Sequence, residues 1–276
     1  MKSNKLVAAL TLCGAIFAAP LSAAPILSDI VFVVDESGSM GTVQQNLRNN
    51  IGLFASILTG TGQVNANYGL VGYGDYNAAP RMVTDLTDVS SFSTAAGSLT
   101  AGGSREPGYT ATAFALNALD GQSDLFSFRS NAVKNIIILT DEPHDSYNSS
   151  SYGTIDGSAV DEAAADGALD DNNALYNGVL SGTSTTYSYE TLITDHGGSV
   201  FDLTAFNTTD QDTIEDFVTY FANAKLKETL DFCDLNPTDP ACNGSSNPVA
   251  EPSAFALLGL GLSGLVAIRR RKAAAA

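Results

Sequence analysis

Tryptophan is absent from this sequence, histidine occurs twice, cysteine three times, and only 13 lysines and arginines stand against 30 aspartates and glutamates. Each scarcity excludes something. Two histidines are too few for a His-built zinc site. Six of the basic residues sit at the ends, as Lys2, Lys5, Arg269, Arg270, Arg271 and Lys272, so the chain between them keeps seven basic against 30 acidic side chains, a net of −23. Such a body repels nucleic acid and anionic lipid and tolerates divalent cations. There is no G-x-S-x-G elbow, no H-E-x-x-H helix, no Cys–His pairing and no EF-hand spacing, which removes the common hydrolase and calcium-loop signatures. No internal repeat is visible. The 276 residues suffice for one sizeable domain with short appendages.

What is present at the two ends reads as targeting. Residues 1–23 have a basic start, an apolar run over 6–19 and small residues near Ala23, the order of a secretory signal peptide cleaved after Ala23; a buried N-terminal helix is the alternative. Cys13 follows Leu12, too large a residue for a lipoprotein signal. At the other end, the apolar run 254–268 is followed by four cations. Its 15 residues reach roughly 23 Å as a helix, short of a ~30 Å hydrocarbon core unless flanking side chains snorkel. The cations would stay on the cytoplasmic side. Residues 231–249 are rich in Pro, Asn, Ser and Asp and read as a linker. Cys233 and Cys242 lie in this stretch; in an exported chain they are expected to pair, with two free thiols as the alternative.

Between these ends, roughly over 28–230, apolar runs alternate with helix-period segments. IVFVV (30–34) and NIIILT (135–140) read as buried strands, and VNANYGLVGYGDY (64–76), RMVTDLT (81–87), ALYNGVL (174–180) and SVFDL (199–203) as further strands. Val43, Leu47, Ile51, Phe54 and Leu58 fall at helical spacing. Helices are also expected over 110–119, 158–171, 187–198 and 210–230. Strands alternating with helices predict an α/β domain, a Rossmann-like fold with a largely parallel central sheet and helices on both faces. In such folds ligands bind beyond the carboxyl ends of the strands. There the first strand discharges Asp35, Ser37 and Ser39, and the later apolar strand discharges Asp141.

The stretch DESGSMG (35–41) matches the D-x-S-x-S motif of the von Willebrand factor type A domain, and the body resembles that family, with IIILTDE (136–142) similar to its second acidic strand end. The resemblance implies a metal-ion-dependent adhesion site holding Mg²⁺ (Mn²⁺ or Ca²⁺ as substitutes), with the serine hydroxyls as ligands and a threonine from another loop. The family's T-x-T followed by leucine matches Thr110, Thr112 and Leu116. The expected ligands are therefore Asp35, Ser37, Ser39, Thr110 and Asp141. Glu106, beside Pro107, is the alternative loop ligand, and Thr112 could instead cap its own helix turn. Neutral hydroxyls leave such an ion under-neutralised, so that a partner's carboxylate can complete its coordination. The competing structural reading is that the acids and serines merely cap a helix.

Asp75 reads as a turn residue that could support the site, His144 and His196 as loop residues, and Asp156, Asp161, Glu162, Asp166, Asp170 and Asp171 as a solvated face.

The tail resembles the PEP-CTERM sorting signal over 250–272, with Ala250-Glu251-Pro252 in place of Pro-Glu-Pro. That resemblance implies recognition by an exosortase, transient insertion in the inner membrane, and delivery to the cell surface or extracellular matrix of a Gram-negative bacterium. The expected function is a non-enzymatic binding protein that engages an acidic group on a protein or extracellular polymer. The alternatives are a structural matrix protein with a non-functional metal site, or a metal-dependent hydrolase.

Overall fold

The computed structural model describes residues 24–145 and 149–242. The expected signal peptide and the sorting tail lie outside the described residues. Strand β1 (Ile26–Asp35) is followed by α1 (Gly41–Thr59), β2 (Val64–Tyr73), β3 (Arg81–Thr87), α2 (Val89–Ala95) and α3 (Gly108–Ala115). Then come β4 (Ala132–Thr140), a small hairpin of β5 (Thr154–Ile155) and β6 (Ser158–Ala159), and α4 (Glu162–Asp171). The chain continues through β7 (Leu175–Leu180), α5 (Thr183–Asp195), β8 (Val200–Asp202) and α6 (Gln211–Leu235). The central sheet has the order β3-β2-β1-β4-β7-β8, and every pairing in it is parallel except β2 with β3 at one edge.

β1 explains the two-faced core. Its side chains alternate, so Ile30, Phe32 and Val34 enter one apolar cluster with α1, α2 and α6. Val31 and Val33 enter the other, with α3, α4 and α5. A strand covered on both faces reads as a continuous apolar run, as this one does. All five residues at helical spacing in α1 are buried, and Phe54 meets Phe221 of α6 at 5.3 Å between ring centroids. Two polar residues inside β1 are matched: Asp29 accepts from the backbone and side chain of Arg129 at 2.7 and 2.8 Å, and Ser28 accepts from Asn135 at 2.9 Å.

Several elements differ from expectation. α3 ends at Ala115, four residues before the expected Leu119. Asn117 takes a left-handed conformation (φ 59°), and its side-chain oxygen accepts from Leu125 N and Phe126 N, a local alternative that Asn offers a helix backbone. The helix expected from Ser158 starts only at Glu162, capped by Asp161, because residues 158–159 pair in the hairpin. α2 was not anticipated; Asp88 caps it by accepting from Ser90 N and Ser91 N. α6 continues to Leu235, so Cys233 belongs to the helix and not to a linker beyond it. Cys233 and Cys242 form a disulfide, buried with Ile26, Val133 and Leu175 at the starting ends of β1, β4 and β7. Among the described residues no helix is long and apolar enough to cross a membrane.

Candidate functional site

Asp35 is the last residue of β1 and is fully buried. One carboxylate oxygen accepts from Ser37 N at 2.6 Å, and the other accepts from the Thr140 hydroxyl at 2.8 Å. Thr140 ends the neighbouring strand β4. The Ser37 and Ser39 hydroxyls are 3.2 Å apart, and Ser39 donates to Asp141 at 3.0 Å. Four of the five expected ligand residues are thus joined by one continuous run of hydrogen bonds, through Ser37 N and then the Ser37 and Ser39 hydroxyls, across the carboxyl ends of β1 and β4. It runs from buried Asp35 out to exposed Ser39.

Thr110 is the third residue of α3, fully buried, and its hydroxyl has no hydrogen-bond partner. No hydrogen bond joins it to the other four. Thr112 does not cap the helix: the N-cap position is Pro107, and the Thr112 hydroxyl donates to Gly108 O at 2.9 Å and stands 3.0 Å from the Tyr176 hydroxyl. Glu106 is nearly buried. Its carbonyl accepts from Asp145 N and Gly108 N, which ties the loop before α3 to the segment after β4.

The site is crowded with negative charge. Burial pushes the Asp35 carboxyl up to about 6, against the Ser37 and Thr140 hydrogen bonds that oppose it. Burial also pushes Glu106 up to about 7, assisted by the charges of Asp35, Glu142, Asp145 and Asp141. The nearby guanidiniums are engaged elsewhere: Arg81 pairs with Glu36 and Arg105 with Asp145. Among the described residues no three His, Cys, Asp or Glu side chains gather in a metal-holding group, so a cation at this place would depend on hydroxyls. The donor set here is all oxygen, and one buried hydroxyl, Thr110, is orphaned. That combination fits a hard divalent cation.

The remaining acids and histidines do other work. Asp75 lies in the turn after β2, where its carbonyl accepts from Ala78 N at 2.6 Å and one carboxylate oxygen is buried without a partner. His144 stacks on Tyr109 at 4.1 Å and accepts from Tyr109 N; burial drives its pKa down to about 4. His196 meets Asp166 at 2.9 Å. Asp156, Asp161, Glu162, Asp170 and Asp171 are exposed, and Asp161 caps α4.

Glu36, the residue between Asp35 and Ser37, has a role that no local pattern signals. Its side chain is fully buried and meets Arg81 at 2.5 and 3.2 Å. The same carboxylate accepts from Thr100 N at 2.8 Å and from the Thr100 hydroxyl at 3.2 Å. Its carbonyl accepts from Gly102 N and Gly103 N, while Gly38 N donates to Gly103 O. Gly72 makes room for the carboxylate, since a Cβ there would lie 2.4 Å from it. A glycine inside an apolar strand marks such a close approach and was the available signal.

A family profile of the von Willebrand factor type A domain matches residues 29–219. The PEP-CTERM protein-sorting motif matches residues 248–272. No curated protein matches the chain.

Proposed function

The chain belongs to the von Willebrand factor type A domain family, and on that premise we propose that it is a binding protein that grips an acidic group through a metal-ion-dependent adhesion site. Domains of this family are typically binding and adhesion modules. The sorting motif marks an exported protein with a membrane-anchored precursor and implies recognition by an exosortase-type enzyme. In our reading the mature protein acts at the cell surface or in the extracellular matrix, and its partner is a protein or acidic polymer. Asp35, Ser37, Ser39, Thr110 and Asp141 would hold Mg²⁺, with Mn²⁺ or Ca²⁺ as substitutes. The observation that carries the reading is the hydrogen-bonded run from Asp35 through Ser37 and Ser39 to Asp141 at the carboxyl ends of two adjacent parallel strands.

When bound, such an ion supplies a positive centre whose open coordination a partner's carboxylate can fill. The protein's own residues do the rest. Thr140 and Ser37 N orient the Asp35 carboxylate, and exposed Ser39 beside Asp141 brings the oxygens to the surface. The hydrolase alternative gains no support from His144, the nearest imidazole to the loop before α3, because its Nδ1 is engaged by Tyr109 N and burial holds it neutral.

Calorimetric titration of the purified protein with Mg²⁺ tests the reading. Wild type should bind. Asp35→Ala should abolish binding, and Ser37→Ala, Ser39→Ala and Thr110→Ala should each weaken it about tenfold, since water can replace one neutral ligand. Undiminished affinity in Asp35→Ala would overturn the assignment. A silent Thr110→Ala beside a damaging Glu106→Ala would move the loop ligand to Glu106.

A further inference from the structure

We propose that Glu36 is a positioning residue that fixes the spacing between two of the three ligand-bearing stretches, the loop after β1 and the loop before α3, and that this spacing sets a preference for Mg²⁺ over Ca²⁺; the proposal rests on the adhesion-site reading. The expected ligands come from three separate stretches: Asp141 follows β4, and Glu36 bears on the other two. Asp35, Ser37 and Ser39 flank Glu36 directly. Thr110 follows the loop that runs from Ser98 through Gly103 and Glu106 into α3. Glu36 fastens that second loop with both ends of the residue. Its carboxylate takes Thr100 N and the Thr100 hydroxyl, and its carbonyl takes Gly102 N and Gly103 N. Arg81 completes the clasp by bridging the carboxylate to Ser98 O at 3.0 Å.

Two features make this more than a packing contact. A buried ion pair is costly to desolvate, and replacing both partners by apolar residues of similar volume is often neutral or stabilising, so stability alone does not call for one here. The surrounding backbone is also shaped for the clasp. A Cβ on Gly103 would lie 1.5 Å from Gly74 O, so the second loop lies against the turn after β2 with no room for a side chain. Gly103 in turn bridges to Ser37 in parallel pairing. Mg²⁺ demands near-ideal octahedral geometry at short range, whereas Ca²⁺ accepts longer and less regular coordination. Loosening the clasp therefore penalises Mg²⁺ more.

The test is titration of the full exported protein with MgCl₂ and, separately, CaCl₂, in wild type, Glu36→Gln and Arg81→Lys. Glu36→Gln should lose about tenfold in Mg²⁺ affinity, the scale expected for supporting residues around a metal, and less than about threefold in Ca²⁺ affinity. Arg81→Lys keeps the charge but not the planar fork and should fall between. Amide exchange in chelator supplies the second readout: Thr100, Gly102 and Gly103 should exchange faster in Glu36→Gln, with β1 and β4 unchanged. Equal losses for both ions, or none for either, overturn the proposal, as does unaltered exchange at those three amides. Wild type that takes up neither ion overturns the adhesion-site reading and the ion preference with it, while the exchange comparison still decides the clasp.

Discussion

Asp35 carries its charge at a cost. Its carboxyl titrates near 6 in the folded protein instead of 3.8, so the folded state holds a proton that the unfolded chain has released. A raised pKa contributes stability that is complete below about 4 and is lost as pH rises through about 6. The shift corresponds to about 3 kcal/mol. Asp35→Asn imitates the protonated form: its amide oxygen keeps an acceptor for Ser37 N, and its NH₂ can donate to the Thr140 hydroxyl. Urea unfolding in chelator should therefore show the variant gaining on wild type from pH 4 to pH 7, by up to about 3 kcal/mol. A difference that does not change with pH would refute this account of the residue. The same scale shows what a sequence can carry. Asp35, Ser37, Ser39 and Asp141 were legible because oxygen-bearing residues directly follow apolar strands, and that pattern is local. Glu36 was not, because its meaning depends on Arg81 and Thr100, 45 and 64 positions away. Between Thr110 and Glu106 the pattern favoured Thr110, because T-x-T followed by leucine fits Thr110, Thr112 and Leu116 whereas Glu106 precedes Pro107 instead of following it.

At the scale of elements, periodicity identified β1, α1 and β4 because their burial is regular. It failed where a single side chain redirects the backbone, as Asn117 does after α3, or where an element is too short to show a period, as with α2 and the β5–β6 hairpin. α6 shows a third kind of failure, a helix that continues into a polar stretch because its end is fixed covalently. The disulfide should matter to stability and not to ion binding, since it packs against the starting ends of the strands whereas the site lies at their finishing ends. Replacing both cysteines, Cys233→Ala with Cys242→Ala, should cost about 2–3 kcal/mol in urea unfolding, the scale for closing a short loop. Mg²⁺ titration should be unchanged. A variant of full stability, or one that loses Mg²⁺ uptake, would contradict this division.

For the molecule as a whole, the sorting motif at 248–272 begins six residues after Cys242. If an exosortase-type enzyme processes it, intact-mass measurement of surface-released protein should find a chain lacking Arg269, Arg270, Arg271 and Lys272. A mass that includes Arg271 and Lys272 would count against processing. The position of the disulfide has a mechanical consequence as well. The chain enters β1 at Ile26 and leaves the described domain at Cys242, both in one apolar cluster at the starting edge of the sheet. A pull between that edge and the loop after Asp35 runs along the strand axes. β1 is hydrogen-bonded to β2 over all ten of its residues and to β4 over eight. Such a pull loads the ladder bonds together, in shear, and cannot open them one at a time as a zipper would. The crosslink also removes the segment between Cys233 and Cys242 from the line of tension, so stretching reaches α6 directly and the last helical turn cannot be drawn out as slack.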